Sequence, residues 1–155
     1  MSQSTIPRAQ TLVAQRTVNA LIRALLRTPL LCRLADRRLL TVYLVGRKSG
    51  RRFAVPVAYT RHAGALLVGT PFGWGRNLRT GEPVEIRLHG RRISAVVTVV
   101  TDEAGVVEGY ATMARDNHAF AGFNKIRIDD AGEPDPNDLY LAWAAGARVF
   151  RLVPQ

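Results

Sequence analysis

A chain of 155 residues with an ordinary apolar fraction and no repeats is long enough for one domain with a real core. A single cysteine, Cys32, excludes an internal disulfide framework, and no apolar run approaches the roughly 20 residues needed to span a bilayer. The net charge of +10 is unevenly placed: up to Arg52 there are eleven Arg or Lys and one acid, Asp36, and beyond it eleven bases face eleven acids. The excess is therefore a local positive field that asks for an anionic partner, be it a phosphate-bearing small molecule, an anionic membrane or a nucleic acid. The N-terminus lacks the apolar core and small-residue cleavage site of an export signal, which predicts a cytoplasmic protein.

From Arg8 to Arg27, Leu12, Val18, Leu21, Ile22, Leu25 and Leu26 recur at helical spacing, and Arg16, Arg23 and Arg27 share a stripe. Thr28-Pro29 ends this helix. Docking on its own domain is the first reading of its apolar face, and peripheral contact with an anionic membrane is the second. A short apolar stretch, Leu30 to Ala35, follows and holds Cys32 as a packed thiol.

From Leu39 the texture changes. "LLTVYLV" and "FAVPVAYT" read as strands joined by a basic turn, with Pro56 marking an edge or a bulge. His62-Ala63-Gly64 leads into a third strand, "ALLVGT". Pro71 to Pro83 is a Gly-rich loop with one helical turn expected at Arg76 to Arg79. "VEIRLHG" and "RISAVVTVVT" are strands four and five. Asp102 caps a helix expected to reach Asn117, although Gly105 and Gly109 weaken it. Asp129 to Asp138 reads as a solvated loop, "LYLAWAAGA" as a short helix and "RVFRLVP" as a last strand. The sum is a mainly β (α+β) fold: one domain over residues 1–155, with a helical segment at 1–38 and a small antiparallel barrel of about six strands at 39–155. One helix stands in front and one is inserted late.

The turn "VGRKSGRR" places Arg47, Lys48, Arg51 and Arg52 around Ser49-Gly50. On a bare hairpin tip these charges serve only to keep an edge soluble. As an anion cradle, they supply charge-assisted bonds to a phosphate while amides freed at the glycine turn point the same way. The P-loop pattern is missing. In "FGWGRNL", Trp74 is either a core anchor or one wall of a ligand pocket, with Arg76 and Asn77 as donors beside it. Three scattered histidines, His62, His89 and His118, give no metal-ligand spacing, and no acid–base pair or triad stands out. Any chemistry then falls to a bound cofactor. Nucleic acid is disfavoured as a partner, because only Tyr43, Phe53 and Tyr59 flank the basic turn and Pro56 interrupts that strand.

"LLTVYLVGRKSGRRFAVPVAY" followed by "WGRNLRTGEPVEIRL", with "NALIRALLRTPL" before them, resembles the deazaflavin-dependent nitroreductase family of actinobacteria. The resemblance covers roughly Asn19 to Val100 well and the rest loosely. It implies a split β-barrel, a flavin-binding fold, and the cofactor F-420, a deazaflavin with a phosphate and a polyglutamate tail. FMN is the alternative, as is a non-enzymatic cofactor-binding protein. The family's phosphate-gripping turn falls on Arg47, Lys48, Ser49 and Gly50, with Arg52 as a helper. The backbone at Val55, Pro56 and Val57 would lie along the deazaflavin ring, and Trp74 and Asn77 match the family's Trp and Asn, with Arg76 at a variable position. The implied reaction is hydride transfer from reduced cofactor to an electron-poor quinone, enone or nitroaromatic. No catalytic residue is singled out. Tyr59, Tyr110 and His118 are the candidates for the substrate pocket and the proton, with solvent as the other source. The "GTPFG" loop is shorter than in better-known members, and "ARDNHAFAGFNKIRIDD" stands where those members carry tyrosines. A homodimer is the expected way to cover the edges of an open barrel.

Overall fold

The computed structural model describes residues 38–155. The helix expected over Arg8 to Arg27, the stretch from Leu30 to Ala35 and Cys32 lie outside the described residues.

Among the described residues, seven strands form one antiparallel sheet: β1 (Leu39–Val45), β2 (Arg52–Ala58), β3 (Thr60–His62), β4 (Ala65–Thr70), β5 (Pro83–Leu88), β6 (Arg91–Val100) and β7 (Arg148–Pro154). Their order across the sheet is β2-β1-β5-β6-β7-β4-β3. The two outermost strands, β2 and β3, are separated in the chain only by Tyr59. One bent strand thus passes from one edge of the sheet to the other, and the sheet must curl into a half-barrel to let it. The six strands expected from the sequence become seven for this reason: "FAVPVAYT" breaks at Tyr59, whose amide turns aside to donate to the Arg38 carbonyl at 2.9 Å. Pro56 sits opposite Thr41 in β2, which among the described residues pairs with β1 alone, so the ring takes an edge position where a missing amide costs least.

Period-two alternation puts Leu40, Val42 and Leu44 of β1, Val84 and Ile86 of β5, and Val97 of β6 inside the curl. Strand β4 is apolar without alternation because it is covered on both faces. Leu66 and Val68 face the inner core, while Leu67 faces a second core under the helices. Between β5 and β6, His89 (φ 49°) and Gly90 (φ 77°) both take the left-handed conformation that a two-residue hairpin of type I′ needs.

Three helices lie between β6 and β7: α1 (Glu103–Asp116), α2 (His118–Phe123) and α3 (Pro136–Ala144). The sequence marked α1 and the body of α3, and α2 is the addition. The Asp102 carboxylate caps α1 by accepting from the Gly105 amide at 2.9 Å. Gly109, which weakens α1 on propensity alone, is where the helix touches the sheet: a Cβ there would stand 2.8 Å from Val149 Cγ2. Asn117 ends α1 and caps α2, its side chain accepting from the Ala119 and Phe120 amides. Helix α3 starts inside the stretch expected to be loop, with Asp135 as cap and Pro136 in the first turn. Among the described residues no helix is long and apolar enough to cross a membrane.

Candidate functional site

The β1–β2 connection is a six-residue loop between Val45 and Arg52, which face each other across the ladder. It is closed by the Gly46 amide donating to the Arg51 carbonyl (2.8 Å) and the Gly50 amide donating to the Gly46 carbonyl (2.9 Å), with Gly50 at φ 64°. Ser49 Oγ accepts from the Arg51 amide at 3.3 Å. Those bonds consume the amides of Gly46, Gly50 and Arg51. Among the described residues nothing bonds the three consecutive amides of Arg47, Lys48 and Ser49, which crown the tip.

Arg47, Lys48, Arg51 and Arg52 are all exposed, and none has an ion-pair partner among the described residues. Two unit charges 4 Å apart repel by about 1 kcal/mol even in water. A fold that holds four cations here without a carboxylate leaves that repulsion for an incoming anion to relieve.

Arg47 also lines a cleft of about 550 Å³ that opens beside the turn. Its apolar lining comes from Leu44, Leu78, Val84 and Val97. Its polar rim comes from Arg47, Asn77, Arg79, Glu82 and Glu85. Asn77 ends a short 3-10 turn, Gly73–Asn77, which begins three residues before the helical turn expected at Arg76 to Arg79. Its side-chain amide donates to the Trp74 carbonyl at 3.0 Å, so Asn77 fixes this turn as well as facing the cleft. Trp74 is half-buried, stacks on Phe150 at a centroid distance of 6.2 Å and packs against the inner core, so the anchor role is part of its function. Arg76 is exposed beside it. On β2, Val55 is buried in the core and Val57 packs against it, while Pro56 alternates to the other face.

The turn and the 3-10 segment therefore meet at one cleft through Arg47 and Asn77. The expected pocket residues do not join them. Tyr59 lies beside Arg38, at the opposite end of β1 from the turn; seven residues of strand separate them by about 20 Å. Its ring is buried and its hydroxyl sits 3.3 Å from His89 Nε2. Tyr110 has no exposed surface at all; it is packed in the second core against Phe120, its hydroxyl unpartnered. Burial pushes its pKa well above the ordinary phenol value. A buried ring with no open face is not a substrate contact in this fold. His118 opens α2, two residues after Asp116, which bonds Thr60 and Arg38 beside the barrel's far end.

Arg79, Glu82 and Glu85 went unread in the sequence. The signal for two of them was "RTGE", a tight turn with glycine at its third position, but only the fold shows that this turn borders the cleft. Glu85 pairs with Arg92, whose guanidinium lies 4.2 Å over the Tyr43 ring, and Arg87 Nε donates to Tyr43 Oη at 3.0 Å.

The chain matches no family model and no curated protein. Among solved structures it is similar to the conserved hypothetical protein Rv2991 of Mycobacterium tuberculosis, with a TM-score of 0.50 and 13% identity over 80% of this chain and 79% of that one. It is also similar to the heme storage protein HutZ of Vibrio cholerae (TM-score 0.49, 16% identity, 83% of this chain and 89% of that one). A FAD-binding protein of Mesorhizobium loti follows (TM-score 0.41, 17% identity, 83% and 90%). At these identities the likeness to Rv2991 is one of fold.

Proposed function

We propose that this chain is a deazaflavin-dependent oxidoreductase whose β1–β2 turn holds the phosphate-bearing arm of F-420. The observation that carries the reading is the tip of that turn: three unengaged amides crowned by four exposed cations with no carboxylate among the described residues to answer them. The donor set suits a phosphate. Arginine forks match its oxygens in pairs, Lys48 adds a point charge, and successive amides form a concave anion site. The resemblance of the turn and of "WGRNL" to the deazaflavin-dependent family adds the identity of the ligand, which the geometry alone leaves as an anionic cofactor.

In this arrangement Arg47, Lys48, Ser49 and Gly50 fix the phosphate, and Arg51 and Arg52 continue the positive track for an acidic tail. The open edge of β2 at Val55 to Val57 is the rail for a flat ring, and Trp74 and Asn77 shape the adjoining 3-10 turn. A reduced deazaflavin brings hydride-donating power from ring carbon C5 to an electron-poor acceptor. The protein orients that encounter and keeps it dry. Tyr110 is sealed in the second core, which leaves Tyr59, His118 and water as sources of the proton that completes the reduction.

The test is a fluorescence titration of the purified protein with F-420 and, separately, with FMN. Consumption of the reduced deazaflavin is then followed across quinones, enones and nitroaromatics. Saturable F-420 binding and acceptor-dependent oxidation are expected. Binding of FMN alone would replace the cofactor, and binding without turnover on any acceptor would make the chain a carrier.

A further inference from the structure

The basic turn holds two glycines that serve different ends. Gly50 takes the left-handed conformation (φ 64°), and a Cβ there would meet nothing within 4 Å. Gly46 is not among the positive-φ glycines; what it lacks is room. A Cβ on it would stand 2.7 Å from Ser49 Oγ and 2.9 Å from Phe53 Cε2, closer than side chains pack. The Phe53 ring is partly buried and packs against the inner core, so its edge has little freedom to retreat. The Ser49 hydroxyl accepts from the Arg51 amide at 3.3 Å, which keeps it folded in over Gly46. Both backbone bonds that close the loop also run through Gly46, its amide donating to the Arg51 carbonyl and its carbonyl accepting from the Gly50 amide. Ring, hydroxyl and loop closure thus converge on one residue without a side chain.

We infer, resting on the reading of this turn as an anion site, that Gly46, Ser49 and Phe53 are its positioning residues. The inner core, acting through the Phe53 ring, sets the shape in which the amides of Arg47, Lys48 and Ser49 meet a phosphate. Ser49 then gives its amide to the anion and its hydroxyl to the turn. Cations on long flexible stems reach a phosphate from many loop shapes. Three successive amides do so only from a narrow range of shapes, because the backbone fixes their directions. A side chain at position 46 must drive the Ser49 hydroxyl off the Arg51 amide or press the Phe53 ring into the core, and either change spreads the tip. The cost falls on ligand affinity, since the amides move while all four cations are retained.

The experiment is an NMR titration of the full chain with inorganic pyrophosphate, read at the amides of Arg47, Lys48 and Ser49, beside a thermal melt and an F-420 fluorescence titration. In the parent the three amide signals should move together and saturate. Gly46→Ala should weaken pyrophosphate about tenfold, and adding Phe53→Leu should recover most of that loss. Ser49→Ala should weaken binding in the parent yet strengthen it in the Gly46→Ala background. A hydroxyl that touched the anion directly would be missed in both backgrounds, so a loss in both overturns the assignment. An unmoved parent tip overturns it too, as does a Gly46→Ala variant that binds like the parent or is rescued by neither second change. Should the melt show Gly46→Ala unfolded, Phe53→Leu alone decides: weaker pyrophosphate supports the assignment, and parent affinity overturns it. If these variants behave as expected and F-420 does not bind, the cofactor reading falls while the positioning stands. If F-420 binds and the variants do not behave so, only the positioning falls.

Discussion

At its far end, strand β1 begins beside a closed account of charge. Arg38 pairs with the Asp116 carboxylate at 2.9 Å, and the same carboxylate accepts from Thr60 Oγ1 at 2.9 Å, tying the end of α1 to the first residue of β3. Seven residues away, the other end of β1 opens into a turn whose four cations have no such partner among the described residues. The helical region follows the first pattern. Arg115 pairs with Glu133 at 2.9 Å, and Arg127 pairs with Asp138 at 2.8 Å, which holds the Asp138 carboxyl below its ordinary range. Single cations elsewhere, such as Arg61, Arg76, Lys125 and Arg151, also go without a carboxylate among the described residues. What sets the turn apart is that four such cations crowd into the six residues from Arg47 to Arg52.

Substitutions can break or sharpen that contrast. The largest effect is expected at Trp74→Ala, which removes a ring stacked on Phe150 and packed on the inner core. A fully buried Trp costs about 3–5 kcal/mol on truncation, and this half-buried one about 2–3 kcal/mol, read as a shift in the denaturant midpoint. A midpoint unchanged from the parent would strip Trp74 of its anchoring role.

Next comes Asp116→Ala, which leaves the buried Thr60 hydroxyl without its acceptor. Because Arg38 and Asp116 are both partly solvated, the loss is about 1 kcal/mol, and cofactor affinity should not move. A loss of affinity matching the loss of stability would erase the distinction between the two ends.

The smallest effect is expected at Tyr110→Phe. Removing an unpartnered buried hydroxyl should be neutral or stabilise by up to about 1 kcal/mol. The folded-state pKa of Tyr110 is raised, so the folded state binds a proton that the unfolded chain releases as pH passes the ordinary phenol value. Stability is therefore held below that value and declines as pH rises beyond it, and the phenylalanine variant lacks this part of the decline. Identical alkaline unfolding curves would mean that Tyr110 reaches solvent.

Much of this fold is legible in the residues. β-Branched and aromatic content marks β1, alternation marks β5, and Asp102 marks the start of α1. What escapes is decided by contacts distant in sequence. Nothing local announces that the strand breaks at Tyr59 to serve both edges of the sheet. Helix α2 is six residues long, too short for a periodic pattern. The "DPND" stretch reads as breakers although an Asp cap followed by Pro is also how a helix begins. For the site, the basic turn is visible because its charges are adjacent in sequence. The cleft is not, since it joins β1, the 3-10 turn, the Arg79–Glu82 turn and β6. Tyr59 and Tyr110 illustrate the converse: a polar aromatic invites a pocket role until burial and position are known.

The most direct test is the affinity for F-420 of the Arg47→Ala, Lys48→Ala double variant, measured by fluorescence titration beside a thermal melt. Both side chains are exposed, so the melt should match the parent while affinity falls at least tenfold, about 1.4 kcal/mol. Equal affinity in parent and variant would contradict the account, because the cations would then be ornaments of a solvated hairpin.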